Sequence, residues 1–288
     1  MDDINVKIKE IMNFNPSNRI VFESLQDSIR NQRNIIPFVG AGISAFAYQT
    51  WKNLLMDFSE NLDVNQKNIA KQQIENNKYL EAAQTICDGL GNTIFFAALR
   101  RFYSEDKIDD KMLMNNAAYY IPQICNGNCL TTNYDRVIEH ACMLNSILYD
   151  TVGFNDTVKL NTYFRNPQKK GLIFKIHGDI LSNNERILLS QHSYQTNYAE
   201  GSELRRQLER WIAGKTFLFV GTSLFNDEPI QVLTSMIEEG LVNYAIYSCS
   251  YDEKEIFRKR FDSLGILPIL YNKNDHLSLV VLLKYLLS

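Results

Sequence analysis

The feature that most constrains this chain is the alternation of short apolar runs with helical stretches through its second half. The runs Cys129–Thr132, Leu172–Ile176, Thr216–Gly221, Tyr244–Ser248 and Ile266–Tyr271 are each separated by segments of helical character. Runs this short, bounded by turn residues and apolar at successive positions, suit strands buried on both faces, and their alternation with helices predicts a parallel sheet covered on both sides. An earlier run, Asn34–Val39, fits a further buried strand. Its Pro37 lacks a ladder donor and favours an edge or a bulge. Crossover helices are expected at Ile230–Glu239 and after Asp252 and Asp275.

Two other stretches depart from this rhythm. Residues 1–30 place Ile4, Ile8 and Ile11 at helical spacing and continue with a second stretch from Val21 to Ile29, which predicts a helical arm that packs on the domain or forms an oligomer contact. Residues 51–124 carry almost no strand signal. Their amphipathic segments Trp51–Asn61, Tyr79–Asp88 and Thr93–Tyr103 predict a mainly helical insertion. With no repeat and no linker rich in Pro, Gly or Ser, residues 1–288 are expected to form a single α/β domain.

Composition excludes several function classes. Hydrophobic residues make up 45% and charged residues 22%, with a net charge of −3 and a sequence pI near 5.9, so no overall basic field recruits nucleic acid or an anionic membrane. The clusters Arg205/Arg206/Arg210 and Arg258/Lys259/Arg260 are mixed with Glu203, Glu209 and Glu255, as solvated helix faces are. Five cysteines, Cys87, Cys125, Cys129, Cys142 and Cys249, form no disulfide framework and fit reduced thiols. The start lacks the basic and apolar segments of a signal peptide, and no apolar run reaches the roughly 18 residues of a membrane span. A cytoplasmic protein is expected.

Four constellations at strand ends carry candidate chemistry. Gly40-Ala41-Gly42-Ile43-Ser44-Ala45 satisfies G-x-G-x-x-A directly after a predicted strand, where small residues let a backbone approach a pyrophosphate. A tight glycine turn is the bland alternative. An ordinary dinucleotide-binding unit returns to a second strand within about 30 residues, whereas here about 80 mainly helical residues intervene, which disfavours a standard dehydrogenase. Thr131-Thr132-Asn133-Tyr134-Asp135 puts polar groups where open sheets bind ligands, or caps the next helix through Asn133 or Asp135. Lys175-Ile176-His177-Gly178-Asp179 offers a histidine able to exchange a proton near neutral pH, or one simply packed against a carbonyl. His140, His192 and His276 have no comparable setting. Phe219-Val220-Gly221-Thr222-Ser223 ends a strand in hydroxyls suited to phosphate or ribose, and Asn226 or Asp227 with Pro229 reads equally as a helix start.

Taken in order, GAGIS, TTNYD, KIHGD and VGTS resemble the sirtuin family over residues 34–272. The likeness is closer to bacterial anti-phage sirtuin-like effectors such as that of Thoeris, in which Trp51-Lys52-Asn53-Leu54-Leu55 also has a counterpart. The resemblance implies a Rossmann-like parallel sheet and NAD as substrate. It implies that Gly40, Ala41, Gly42 and Ser44 line the NAD phosphates, with Thr132 beside them in the second motif. Asn133 and Asp135 would orient the nicotinamide ribose and a water, and His177 would act as base on the ribose hydroxyls. Gly221, Thr222 and Ser223 would meet the adenosine half, and Asn272 lies near where the family approaches adenine.

The chain departs from protein-deacylating sirtuins at three points. Thr132 stands where they usually have Gln, Ala45–Thr50 replaces their Pro-Asp-Phe-Arg segment, and two Cys-x-x-Cys pairs are absent, so no zinc is expected. The implied activity is hydrolysis of NAD to nicotinamide and ADP-ribose in anti-phage defence. The alternatives are an NAD-dependent deacylase or ADP-ribosyl transferase, and a non-catalytic sensor of NAD or ADP-ribose. An NAD-depleting effector must be restrained, and with the sequence ending at Ser288 no separate sensor domain is expected. Control is therefore expected from a homo-oligomer or from a partner such as a HerA-type ATPase or a short Argonaute. Phe46 and Tyr48 are candidates to cover nicotinamide, with core packing as the alternative.

Overall fold

The computed structural model describes residues 2–31, 35–165, 170–223 and 241–288. The helix expected at Ile230–Glu239, the Asn226–Pro229 turn and Asn34 lie outside them. Seven strands, β1 Ile35–Val39, β2 Cys129–Thr131, β3 Tyr149–Gly153, β4 Gly171–Lys175, β5 Thr216–Val220, β6 Asn243–Cys249 and β7 Ile266–Asn272, form one parallel sheet in the order β3-β4-β2-β1-β5-β6-β7. Every described pairing is parallel. This is the parallel sheet that the alternating pattern predicted, in the Rossmann-like arrangement that the resemblance implied.

Period-two geometry sends alternate residues to opposite faces, and both faces are buried. Ile35, Val39, Cys129, Ile173, Leu218 and Val220 enter one core, while Ile36, Phe38, Leu130, Phe174, Phe217 and Phe219 enter the other. The first core is roofed by the amino-terminal helices α1 Asp2–Phe14 and α2 Asn18–Arg30 and by helices between β1 and β2. Those are α3 Trp51–Ser59, α4 Val64–Glu75, α5 Tyr79–Leu90, α6 Asn92–Phe102, α7 Asp110–Met114 and α8 Ile121–Ile124. Helices α9 Val137–Leu144, α10 Thr157–Arg165, α11 Gln191–Tyr198, α12 Glu203–Ile212, α13 Lys254–Ser263 and α14 His276–Leu286 complete the layers. The amino-terminal helices are tied to the far edge of the sheet, where the Asn18 amide donates to the Leu270 carbonyl at 2.7 Å and accepts from the Leu270 amide at 2.9 Å.

Two strands differ from the sequence reading. Pro37 lies in β1, a central strand rather than an edge. All five residues of β1 pair with β5, but pairing with β2 begins only at Phe38↔Leu130, so the β2 ladder starts just beyond the proline. β3 has no counterpart among the apolar runs. It is an edge strand, with only Val152 buried within it, and it therefore lacks the continuous apolar signal of its neighbours.

The order of the strands positions the site. From β1 the chain steps to β2, β3 and β4 on one side and to β5, β6 and β7 on the other, so the order in which strands are added to the parallel sheet reverses beside β1. Crevices that bind ligands in open α/β sheets form at the carboxyl ends of strands flanking such a reversal.

Candidate active site

The four motifs occupy the carboxyl ends of β4, β2, β1 and β5, which are neighbours in that order. The long helical excursion between β1 and β2 thus separates in sequence what the sheet places side by side.

The β1 and β5 loops interlock. After β1 the chain enters a short 3₁₀ turn, Ala41–Ser44, rather than a long helix. The Gly40 amide donates to the Val220 carbonyl at 3.0 Å and the Gly42 amide donates to the Gly221 carbonyl at 2.9 Å. A methyl group on Gly40 would sit 2.5 Å from the Gly221 carbonyl oxygen, and one on Gly221 would lie 2.8 Å from the Ile43 amide nitrogen. Gly221 also has φ of +67°, a left-handed conformation that disfavours side chains. These glycines are therefore required by contact between the two loops, before any ligand is considered. Ala41, Gly42 and Ser223 are exposed and Thr222 half-buried, so this pair of loops forms an open rim.

Below the rim lies a buried polar floor. The Asn133 side-chain amide, 6% exposed, donates to the Gly40 carbonyl at 3.1 Å and to Ser44 Oγ at 3.2 Å, joining the β2 end to the β1 loop. Its main-chain amide donates to Thr131 Oγ1 at 3.0 Å, and Thr131 in turn donates to the Val39 carbonyl at 2.8 Å. Asp135 accepts from the Val137 amide at 3.0 Å, at the start of α9, and from the Ser44 side chain. Arg136, rather than Asn133 or Asp135, takes the N-cap position of α9, and Asp135 meets the helix start only through the Val137 amide. Burial pushes the Asp135 carboxyl up, while Lys175, the Val137 amide and Ser44 oppose the rise.

Lys175, to which the sequence reading gave no role, is the electrostatic centre of this floor. It is 1% exposed and lies 3.1 Å from both Glu139 Oε1 and Asp179 Oδ2; it also donates to the Tyr134 and Asp135 carbonyls. Arg136 adds a second cation, 2.9 Å from Asp179 Oδ2. A buried lysine is tolerated only when anions and carbonyls replace its hydration. Here they hold the ends of β2 and β4 together. The sequence signal was a lysine closing an otherwise apolar run, with an aspartate four residues later.

His177 follows directly, 4% exposed, with its carbonyl accepting from the Leu188 amide at 2.9 Å. Gly178 has φ of +94°, and a methyl group there would meet the Arg186 carbonyl at 2.0 Å, so the chain folds back tightly over the end of β4. Burial pushes the imidazole down to about 3, with a hydrogen bond to the Thr132 main chain offsetting part of the effect. The expectation of proton exchange near neutral pH is corrected accordingly. In this packing His177 is neutral at pH 7, because no carboxylate is close enough to compensate for its lost hydration. Its ring nitrogens face two tyrosines of α11, Tyr194 and Tyr198, neither of which stood out in the sequence.

The remaining candidates are more scattered. Asn272 ends β7, two strands beyond β5, where it is exposed and its side-chain oxygen accepts from the Asn274 amide at 3.1 Å. At about 4.8 Å between strands it stands roughly 14 Å from β1. Tyr48 is core: it donates to the Ser104 carbonyl at 3.0 Å and its ring lies 5.2 Å from that of Tyr103. Phe46 is half-buried. Among the described residues no group of three or more His, Cys, Asp or Glu side chains is placed to hold a metal. Cys125 is half-buried and Cys129 buried, burial pushes both thiols up, and the Cys125 thiol donates to the Asn128 carbonyl.

Comparison with known proteins agrees with this geometry. Residues 128–269, which span the second, third and fourth motifs, match the SIR2-like domain. Over that stretch the chain is sirtuin-like. It is also 28% identical over 243 residues to Defense-associated sirtuin 2 of Bacillus subtilis. That match covers 81% of this chain and 22% of the relative, so the chain spans about a fifth of the length of the protein it resembles. No helix among the described residues is long and apolar enough to cross a membrane.

Proposed function

We propose that this chain is an NAD hydrolase that releases nicotinamide and ADP-ribose, and that it serves anti-phage defence as the name of its Bacillus subtilis relative suggests. The observation that carries this reading is the convergence of Gly40–Ser44, Asn133, Asp135, His177 and Gly221–Ser223 on four adjacent strand ends beside the sheet reversal. The exposed rim suits the pyrophosphate and adenosine half, with Asn272 further along the same edge. The buried floor suits the nicotinamide ribose.

In the reaction, the bond between ribose C1′ and the nicotinamide nitrogen breaks with its electron pair going to nicotinamide, which leaves neutral. Water then bonds to C1′ and loses a proton. The leaving group starts as a cation, so the protein's task is to stabilise an oxocarbenium-like ribose and position water. Asn133 and Asp135 would orient ribose and water, and neutral His177 would accept a hydrogen bond or proton from a ribose hydroxyl. Control by self-assembly or by a partner ATPase or Argonaute belongs to the same proposal.

The test is nicotinamide and ADP-ribose release by the wild-type protein beside Asn133→Ala and His177→Ala, over a range of protein concentrations. Turnover confined to the wild type is the expected result, and steep concentration dependence would add assembly as the switch. Undiminished turnover in Asn133→Ala would overturn the site assignment, and turnover that required an acylated or acceptor peptide would favour the transferase alternative.

A further inference from the structure

Beyond β4 the carboxyl edge of the sheet continues to β3, and there the chain forms a cleft of about 200 Å³. None of the residues assigned above to NAD lines it. Three cations, Arg136, Lys159 and Arg186, stand in its walls against two carboxylates, Asp156 and Asp179.

Both carboxylates are already compensated within the protein. Asp179 Oδ2 lies 2.9 Å from Arg136 Nη1 and 3.1 Å from Lys175 Nζ, and Oδ1 accepts from the Leu181 amide at 2.8 Å. Asp156 lies 3.1 Å from Lys159. Arg136 is shared further with Glu105 at 3.3 Å and Glu139 at 3.9 Å, so its charge is largely spent inside. Arg186 is different: it is exposed and has no ion pair among the described residues. Lys159 is exposed as well and carries three donors, of which Asp156 takes one. The Asn155 amide and the Ser182 hydroxyl add neutral donors to the same walls. The nine-residue helix α10 starts at Thr157, directly after Asn155 and Asp156, which adds the positive end of its dipole. Acceptors are therefore engaged while donors remain for a ligand, the balance that selects an anion.

We propose that this cleft binds a small phosphate-type anion, with Arg186 and Lys159 as its charged donors and Asn155 and Ser182 beside them. Arginine presents paired N–H groups that match phosphate oxygens, and the lysine adds a point charge. The volume falls below the roughly 300–1,000 Å³ of pockets that take drug-sized ligands, so the occupant is free phosphate or a short phosphomonoester rather than a nucleotide. The site is independent of the NAD hydrolase reading.

The experiment titrates the full chain with inorganic phosphate and with glycerol 3-phosphate at constant ionic strength, by calorimetry and by the rise in Tm. Wild type is expected to bind and to gain stability with concentration. Arg186→Gln should weaken binding about tenfold or more, the loss of a charge-assisted hydrogen bond, and Lys159→Gln should weaken it less. Both side chains are exposed, so neither variant should unfold the protein. Thr222→Ala with Ser223→Ala, on the rim, should bind phosphate as the wild type does. Tighter binding of glycerol 3-phosphate would assign an organic phosphate and tighter binding of phosphate the free ion, and either upholds the site. No binding of either probe by wild type into the millimolar range would overturn the proposal. So would binding that survives Arg186→Gln and is lost in the rim variant, because the phosphate would then sit on the rim. Either failure would leave the hydrolase reading standing.

Discussion

The floor and the rim of the site obey different physical rules. The floor, built from Asn133, Asp135, Lys175, His177 and Asp179, is buried, and its polar groups are held by named protein partners. The rim, built from Ala41, Gly42, Thr222 and Ser223, is wholly or partly exposed, and its glycines are dictated by backbone contact between loops. In the floor, a side chain that serves chemistry on the proposed reading also holds two strand ends together, so stability and activity would be inseparable there. On the rim they separate.

The sharpest way to break this comparison is Lys175→Met. It leaves Glu139 and Asp179 buried without their shared cation, and breaking a buried ion pair from one side costs about 3–5 kcal/mol. Chemical denaturation should show a loss of that size; a loss under about 1 kcal/mol would mean that the floor is not over-determined. Gly221→Ala should come next, at about 1–3 kcal/mol, since it combines a left-handed backbone with contact against Ile43. The rim should tolerate changes of side chain but not of these glycines.

Acid should expose the cost of His177. Its folded-state value lies below that of the unfolded chain, so the stability it confers is complete above about pH 6.5 and is lost as pH falls toward about 3. Between pH 6.5 and pH 5 this one group should remove about 2 kcal/mol. His177→Gln, which cannot titrate, should lack that part of the slope, and identical slopes in the two proteins would show that His177 is not held neutral. The smallest effect on stability is expected from Thr222→Ala with Ser223→Ala, within about 0.5 kcal/mol of wild type. The same pair should raise KM for NAD while leaving kcat in place, and an unchanged KM would remove these hydroxyls from the binding site.

The comparison also explains what was legible beforehand. Buried strands announce themselves by continuous apolar runs, so β1, β2 and β4 to β7 were readable, whereas β3, an edge strand with a single buried residue, was not. Pro37 misled for a related reason. Its cost depends on which neighbour pairs at that position, and β2 pairs only beyond it. The motifs could be read because glycines and polar residues interrupt apolar runs. The partners of Lys175 on α9, and the tyrosines of α11, sit in helical stretches where ionic and aromatic residues are ordinary.

The sequence by itself determined the parallel sheet, the long helical excursion after β1 and the four strand-end motifs, because these depend on local periodicity and turn chemistry. Only the tertiary structure decided that Gly40 and Gly221 serve each other, that Lys175 organises the floor, and that two tyrosines flank His177. Those facts depend on which strand ends become neighbours and on how completely water is removed between them. No local pattern records either one.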